Sequence, residues 1–385
     1  MGQMSAMNMQ LVVRSLLIYR LTNSPAILGA MAIANAIPML LLSLFGGVIA
    51  ERKQKKYVLL IGQACSALVS LAVAFTLSTN YLSAERAGSW WILIVAAIVQ
   101  GTIMGLMMPS RQAIIAEIVS AEQLMNAVAL NALGMNLLRF FMPALAGFLI
   151  DFYGFDFVYY TMAGMYLMAV IFIAFMPTAR TINMRGHSAL TDIKDGLRYV
   201  LHEPTILLIL SFTLVIVVLS RPYQFLLPVF TEDILKVGAT EMGVLLSVSG
   251  IGAMIGSILL ASLPNRKRGI MLLSSSLLLG SILTIFAFSQ SWHLSLILII
   301  FVGFGDTGRM TLANTLLQYY VDDEYRGRVM SILMMEFGIM SIGTFLAGLL
   351  AEVIGVQWSV GGLAIGLTFI SIIVLFATRR LRQLE

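Results

Sequence analysis

Residues 24–56 read SPAILGAMAIANAIPMLLLSLFGGVIAERKQKK. No charged side chain occurs from Pro25 to Ala50, and then Glu51, Arg52, Lys53, Lys55 and Lys56 follow almost together. A helix of about 20 apolar residues crosses the hydrocarbon core of a bilayer. A run this apolar that stops in a basic cluster reads as a membrane span with its cytoplasmic end marked. The rest of the chain repeats that pattern. Of 385 residues, 59% are hydrophobic and 11% charged, whereas a soluble domain carries roughly 25% charged residues. The mean hydropathy is +0.93. Such a chain lacks the polar surface of a soluble enzyme, a disordered scaffold or a nucleic-acid-binding domain. Its net charge of +5 is scattered in short runs between apolar stretches. The single cysteine, Cys65, permits no intramolecular disulfide. His187, His202 and His293 lie in or beside loops, which argues against a metal site.

Breaks at charges, Asn, Gly and Pro place spans at about 2–22, 25–50, 57–78, 89–113, 123–149, 157–177, 204–230, 239–263, 268–289, 293–319, 327–352 and 356–378. The expected fold class is all-α: a polytopic membrane protein of 12 transmembrane helices in two pseudo-symmetric six-helix bundles. No ten-residue alternation suggests a β-barrel. With the N-terminus inside, seventeen Lys and Arg residues fall on the cytoplasmic side and only Arg20, Arg86 and Lys236 outside. The positive-inside rule therefore predicts a cell-membrane protein with both termini cytoplasmic. The expected divisions are residues 1–177, a cytoplasmic linker 178–203, and residues 204–385 with a short basic tail. In the linker, SALTDIKDGLRYVLHE places Leu190, Ile193, Leu197, Val200 and Leu201 at helical spacing. It reads either as an amphipathic helix on the inner surface or as a solvated linker helix.

The two halves repeat each other. An offset of 214 aligns Gly29 with Gly243 and Arg52-Lys53 with Arg266-Lys267. An offset of 202 aligns Gly101, Val119 and Glu122 with Gly303, Val321 and Glu324. Parallel six-span repeats of this kind build transporters with a central site between halves.

GGVIAERKQKK resembles the loop 2–3 signature of the major facilitator superfamily, Gly-x-x-x-Asp-Arg-x-x-Arg/Lys-Arg/Lys. Gly47, Glu51, Arg52, Lys55 and Lys56 match it, with Glu51 in place of Asp. PSRQAIIAEIVSAEQLMNAVALNALGMNLLRFFMPALAGFLID, RPYQFLLPVFTEDIL and NTLLQYYVDDEYRGRVMSILMMEFG are similar to the bacterial subgroup of enterobactin exporters and macrolide efflux proteins. The resemblance covers nearly the whole chain. It implies alternating access, with loop 2–3 and Arg326 and Arg328 in an inner gate. It also implies that spans 1, 4, 7 and 10 line a cavity, which makes Gln10, Arg14, Gln100, Tyr223 and Asp306 candidate wall residues, with ordinary interhelical hydrogen bonding as the alternative for the uncharged ones. Family members carry a cation at Arg139, which shares a face with Asn131 and Met135. Where relatives show Gly-Pro-x-x-Gly-Gly, this chain has Met142-Pro143-Ala144-Leu145-Ala146-Gly147. That change is expected to loosen helix packing there and weakens an antiporter inference. Span 4 has Gln100 and Gly101 where many proton-coupled antiporters carry Arg.

Charged groups inside spans cost about 2.5–3.5 kcal/mol each on insertion scales and mark a pathway. They are Arg14, Arg139, Arg221, Asp306, Arg309 and Glu336. Asp306 and Arg309 stand at i, i+3 and can pair. Glu336 lies at a depth similar to Asp306, so the three make a candidate coupling region, with a structural ion pair as the alternative. Arg221, next to Pro222, can instead reach the outer interface. The expected function is proton-coupled efflux of an amphipathic small molecule such as a drug, macrolide or siderophore. A facilitator, an importer, a lipid transporter and a non-transporting scaffold or sensor are the alternatives. No GxSxG, Walker A or HExxH motif suggests an enzyme. The expected partners are a small-molecule substrate, protons and the lipid bilayer, with no nucleic acid, no cofactor and a monomeric state.

Overall fold

The structure, a computed structural model, describes residues 1–86, 88–176, 189–263 and 267–384. Among them every regular element is helical. In chain order these are α1 (Gly2–Thr22), α2 (Pro25–Arg52), α3 (Lys55–Ser78), α4 (Trp91–Ile118), α5 (Ala121–Ala174), α6 (Ala189–His202), α7 (Pro204–Ser220), α8 (Pro222–Phe225) and α9 (Leu227–Val229). A π-turn (Phe230–Ile234) leads on to α10 (Ala239–Ser262), α11 (Arg268–Phe288), α12 (Trp292–Tyr320), α13 (Arg326–Met334), α14 (Glu336–Ile354), α15 (Val356–Ala377) and α16 (Arg379–Arg382). Ten helical runs among the described residues are long and apolar enough to cross a membrane. One of them, Glu122–Ala174, has 53 residues, about 80 Å at the α-helical rise. It folds back at Gly154, whose φ of 87° only glycine adopts freely. The helix α1 falls outside the ten because Gln3, Asn8, Gln10 and Arg14 lower its hydropathy.

One compact unit comprises Met1–Arg185 and Val237–Ser247. Its first joint follows from the sequence TNSP. Asn23 closes α1 in the left-handed region at φ 50°, and Ser24 accepts a hydrogen bond from Ile27 N at the start of α2. Pro25 then occupies the first turn, where its missing N–H costs nothing. Helices α2 and α4 meet backbone to backbone: a Cβ on Gly101 would stand 2.0 Å from Asn35 O, and one on Gly105 2.4 Å from Met39 O. The expected loosening around Met142–Gly147 does not occur. A Cβ on Gly147 would meet Ala239 O at 2.1 Å, and one on Gly243 would meet Pro143 O at 2.2 Å. The close approach uses a glycine on each helix, with Gly243 supplying space that the sequence of α5 lacks. Asp151 fixes this contact by accepting from Thr240 N and Thr240 Oγ1, both at 2.7 Å, an anion at the start of α10.

The second unit comprises Gly186–Lys236 and Val248–Glu385. It repeats the glycine contact. A Cβ on Gly303 would stand 1.9 Å from Ser249 O. Gly303 and Ser249 are the residues that the two repeat offsets pair with Gly101 and Asn35. The helix reversal recurs too, because Gly355 joins α14 to α15 at φ 82°. Two spans read as continuous are broken. The stretch 204–230 stops at Ser220 and continues in short pieces with Pro222 and Pro228 in their first turns, since proline neither donates a backbone hydrogen bond nor fits behind the preceding turn. The stretch 327–352 divides at Met335, where the bonds tighten to Met335 N→Ile332 O and Gly338 N→Met335 O, both 3.0 Å. Such mid-helix 3₁₀ geometry marks hinges and strained sites. Finally, α6 packs against α13. A Cβ on Gly196 would lie 2.9 Å from Arg328 Cβ, and Val200 is buried while Leu197 and Leu201 are exposed. The side chains of Leu190, Ile193 and Lys194 lie outside the described residues.

Candidate functional site

Both breaks in the second unit deliver a charge to the same place. Arg221 sits at the end of α7, Glu336 opens α14, and between them the unbroken α12 carries Asp306 midway along its length. Asp306 Oδ2 forms an ion pair with Arg221 Nη2 at 3.0 Å, and Asp306 Oδ1 accepts from Arg309 Nη2 at 3.1 Å. Arg309 Nη1 faces Glu336 Oε2 at 3.7 Å, too long for a hydrogen bond. Arg221 Nη1 also donates to Gln224 Oε1 at 3.3 Å. Arg309 has no exposed surface, and Asp306 and Glu336 are each 8% exposed. With both acids ionised the cluster is neutral. Its hydrogen bonding is incomplete, however, because Arg309 Nη1 and Nε are buried without a hydrogen-bond partner. A buried ion network in this state is costly to hold and sensitive to any change in charge.

Small residues make room for this network. A Cβ on Gly305 would meet Leu279 Cβ at 3.1 Å, and one on Gly308 would meet Ser275 Oγ at 2.7 Å, so α12 lies close to α11 on either side of Asp306. Tyr223, read as a cavity wall, is buried against Phe286, with ring centroids 6.3 Å apart.

Asp306 and Arg309, at i, i+3 in the sequence, pair in the structure, and Glu336 stands opposite Arg309. Arg221 was singled out as an intramembrane charge but not placed in this group. Its pairing depends on the break at Pro222, and the intramembrane charge itself was the available signal.

In the first unit the expected residues are spread out. Gln100 does not line open space. It is buried between α3 and α4, with Nε2 donating to Ser66 Oγ at 3.3 Å. Gln63, not singled out from the sequence, is buried on α3 with neither amide atom hydrogen-bonded. Gln10 is half-buried. Asn131 donates to Met135 Sδ at 3.5 Å, as their spacing suggested, and Arg139 is exposed. Arg14 is half-buried and has no acidic partner among the described residues.

Of the loop 2–3 residues, Gly47 has open space around it, and the side chains of Glu51 and Arg52 lie outside the described residues. Lys55 pairs with Glu117 on α4. Lys56 Nζ donates to Ala174 O at 2.8 Å and Met176 O at 2.6 Å, a cation at the C-terminal end of α5. In the second unit Arg326 pairs with Asp323 at 2.6 Å, and the Arg328 guanidinium lies 5.3 Å from the Tyr325 ring centroid. The Tyr325 ring stacks on Tyr199 at 4.2 Å, and Tyr199 Oη donates to Asp322 Oδ2 at 3.0 Å. Partial burial is the first cause holding the Tyr199 phenol above its ordinary pKa. Tyr199, Tyr325 and Arg328, with Asp195, Arg198, His202 and Glu324, line a cleft of about 510 Å³ between α6 and α13.

A family profile described as transmembrane secretion effector matches residues 3–385. The chain is 25% identical over 361 residues to the staphyloferrin A transporter of Staphylococcus aureus, covering 92% of this chain and 88% of that protein. It is 27% identical over 201 residues to the multidrug efflux pump Tap of Mycolicibacterium fortuitum, covering 51% of this chain and 48% of that one. Among solved structures, the nucleoside transporter NupG superimposes with a TM-score of 0.75 at 12% identity, with 96% of each chain covered. A bacterial homologue of the human lysosomal transporter Spinster gives 0.74 at 11% identity, covering 99% of this chain and 96% of that one. At such identities the solved structures speak for the fold alone.

Proposed function

Because the chain belongs to the transmembrane secretion effector family of the major facilitator superfamily, we propose that it exports amphipathic small molecules by alternating access, driven by protons. Membership makes it a membrane transporter and not an enzyme. Twelve spans, the outward direction and the proton are our reading. The multidrug efflux pump and the siderophore transporter among its relatives support a drug-like or siderophore-like substrate.

The observation that carries the reading is the buried cluster of Arg221, Asp306, Arg309 and Glu336. A proton bound at Glu336 cancels the charge opposite Arg309 Nη1 and leaves the cluster with a net positive charge. In a low-dielectric segment that imbalance favours a different arrangement of the same groups. The tightened turn at Met335, immediately before Glu336, is where α13 and α14 can change angle. Asp306 stays held between two guanidiniums and keeps Arg309 in place while Glu336 exchanges its proton. Loop 2–3, with Arg326 and Arg328, gates the cytoplasmic side.

The test uses purified protein in proteoliposomes with two amphipathic probes, ethidium and dansylglycine. Uptake driven by an imposed pH gradient is compared with downhill exchange. Glu336→Gln and Asp306→Asn should lose the gradient-driven flux and retain exchange. Full gradient-driven flux in both variants would remove the acids from coupling and place the coupling elsewhere in the chain.

A further inference from the structure

The first unit holds a cation that no carboxylate neutralises among the described residues. Arg14 lies in the interior of α1, at a depth where a charge costs about 2.5–3.5 kcal/mol on insertion scales. Its Nη1 is shielded from solvent and makes no hydrogen bond, and no carboxylate pairs with it among the described residues. The groups within its electrostatic reach are Tyr159 and Tyr166, both on the second arm of α5 and both buried. The Tyr166 hydroxyl is itself buried without a partner. Helices α1 and α5 are held together closely enough that a Cβ on Gly2 would meet Met165 O at 2.5 Å, so this arrangement is part of the packed unit. Arg221 and Arg309, by contrast, each have a carboxylate.

A guanidinium with an unused Nη1, within electrostatic reach of an unused hydroxyl donor, is complementary to an oxyanion. One positive charge balances one negative charge, which favours a carboxylate over a phosphate dianion. We propose that Arg14, with Tyr166 and Tyr159, binds the carboxylate of an amphipathic substrate. The proposal rests on the transport reading above and assigns the charge of the transported molecule. The substrate then brings the counter-charge that Arg14 lacks among the described residues. An empty site holds a half-buried cation with no such partner, and an occupied one does not.

The experiment measures equilibrium binding to the full-length protein in nanodiscs, with dansylglycine and dansylglycinamide as probes. The two differ only in carboxylate against amide. Wild type should bind the carboxylate about tenfold or more tightly, the scale of one charge-assisted hydrogen-bonded pair. In Arg14→Gln the ratio of the two affinities should fall to near one, and Arg14→Lys should restore part of it. Tyr166→Phe, which keeps the ring and its packing, should lower the ratio several-fold and guards against a folding defect in the arginine variants. Equal affinities in wild type, no binding of either probe, or an unchanged ratio in Arg14→Gln and Tyr166→Phe would overturn the proposal. Binding requires no gradient. Carboxylate selectivity without gradient-driven flux would therefore sink the coupling reading alone, and gradient-driven flux of ethidium without carboxylate selectivity would sink this one alone.

Discussion

Arg309 is fully enclosed and serves two acids through one planar group, Asp306 through Nη2 and Glu336 through Nη1. Lysine keeps the charge but offers a single point donor, so it cannot hold both carboxylates in that fork. Arg309→Ala leaves two buried acids facing one remaining guanidinium and should cost about 3–5 kcal/mol, the scale for breaking a buried ion pair. Arg309→Lys should cost less in stability and still abolish gradient-driven transport. Thermal unfolding of the purified variants, paired with flux measurements, separates the two effects. Equal stability of wild type and Arg309→Ala would mean that the cluster is open to water. The Asp306–Arg309 pair was legible because i, i+3 spacing on one helix is a local fact, and Glu336 because depth follows from counting residues. The place of Arg221 was not legible, since it depends on how α7 turns at Pro222 and on which helix stands beside it. Gln100 took the alternative reading, an interhelical hydrogen bond to Ser66, for a related reason. Its position in a span is local, but the face it turns to α3 is decided by Gly101 packing on α2.

Among the helices, glycines set the spacing. Gly101 against Asn35 and Gly303 against Ser249 leave no room for a Cβ, and the obstructing atoms are backbone oxygens that cannot rotate away. Gly101→Ala and Gly303→Ala should each destabilise by about 1–3 kcal/mol or more, as overpacking does, and should lower the yield of folded protein. Gly47→Ala meets open space and should leave the melting temperature within error. A drop in its transport rate would then report on gating and not on folding. Retention of wild-type stability in Gly101→Ala would show that α2 and α4 can separate at little cost. The repeat was readable as two offsets in the sequence, and the contacts give those offsets a physical reason, since both halves need a residue without a side chain at the same crossing. The break at Met335 was not readable from hydropathy, which stays high through it, whereas within residues 220–235 Arg221, Gln224, Glu232 and Asp233 lower it. Pro222 and Pro228 warned of the second. Met335 has no comparable local signal, because the break holds no proline and its one glycine, Gly338, comes only at the close of the turn.

For the whole chain, the asymmetry of Lys and Arg predicts that reporter fusions after Arg86 and Lys236 lie outside and one after Lys194 inside. A cytoplasmic signal at residue 86 would invert the orientation. Orientation is fixed while the chain is being made, which gives the Asp306–Arg309 pair a second consequence. When α12 leaves the ribosome, α14 and its Glu336 are still inside the exit tunnel. Because Arg309 already carries its own counter-ion three residues earlier, α12 can enter the lipid as an electrically neutral segment before any later helix reaches it. Asp306→Asn removes that self-compensation at the moment of insertion. Its first symptom should be a shortfall of protein in the membrane, which precedes any fault in the finished machine.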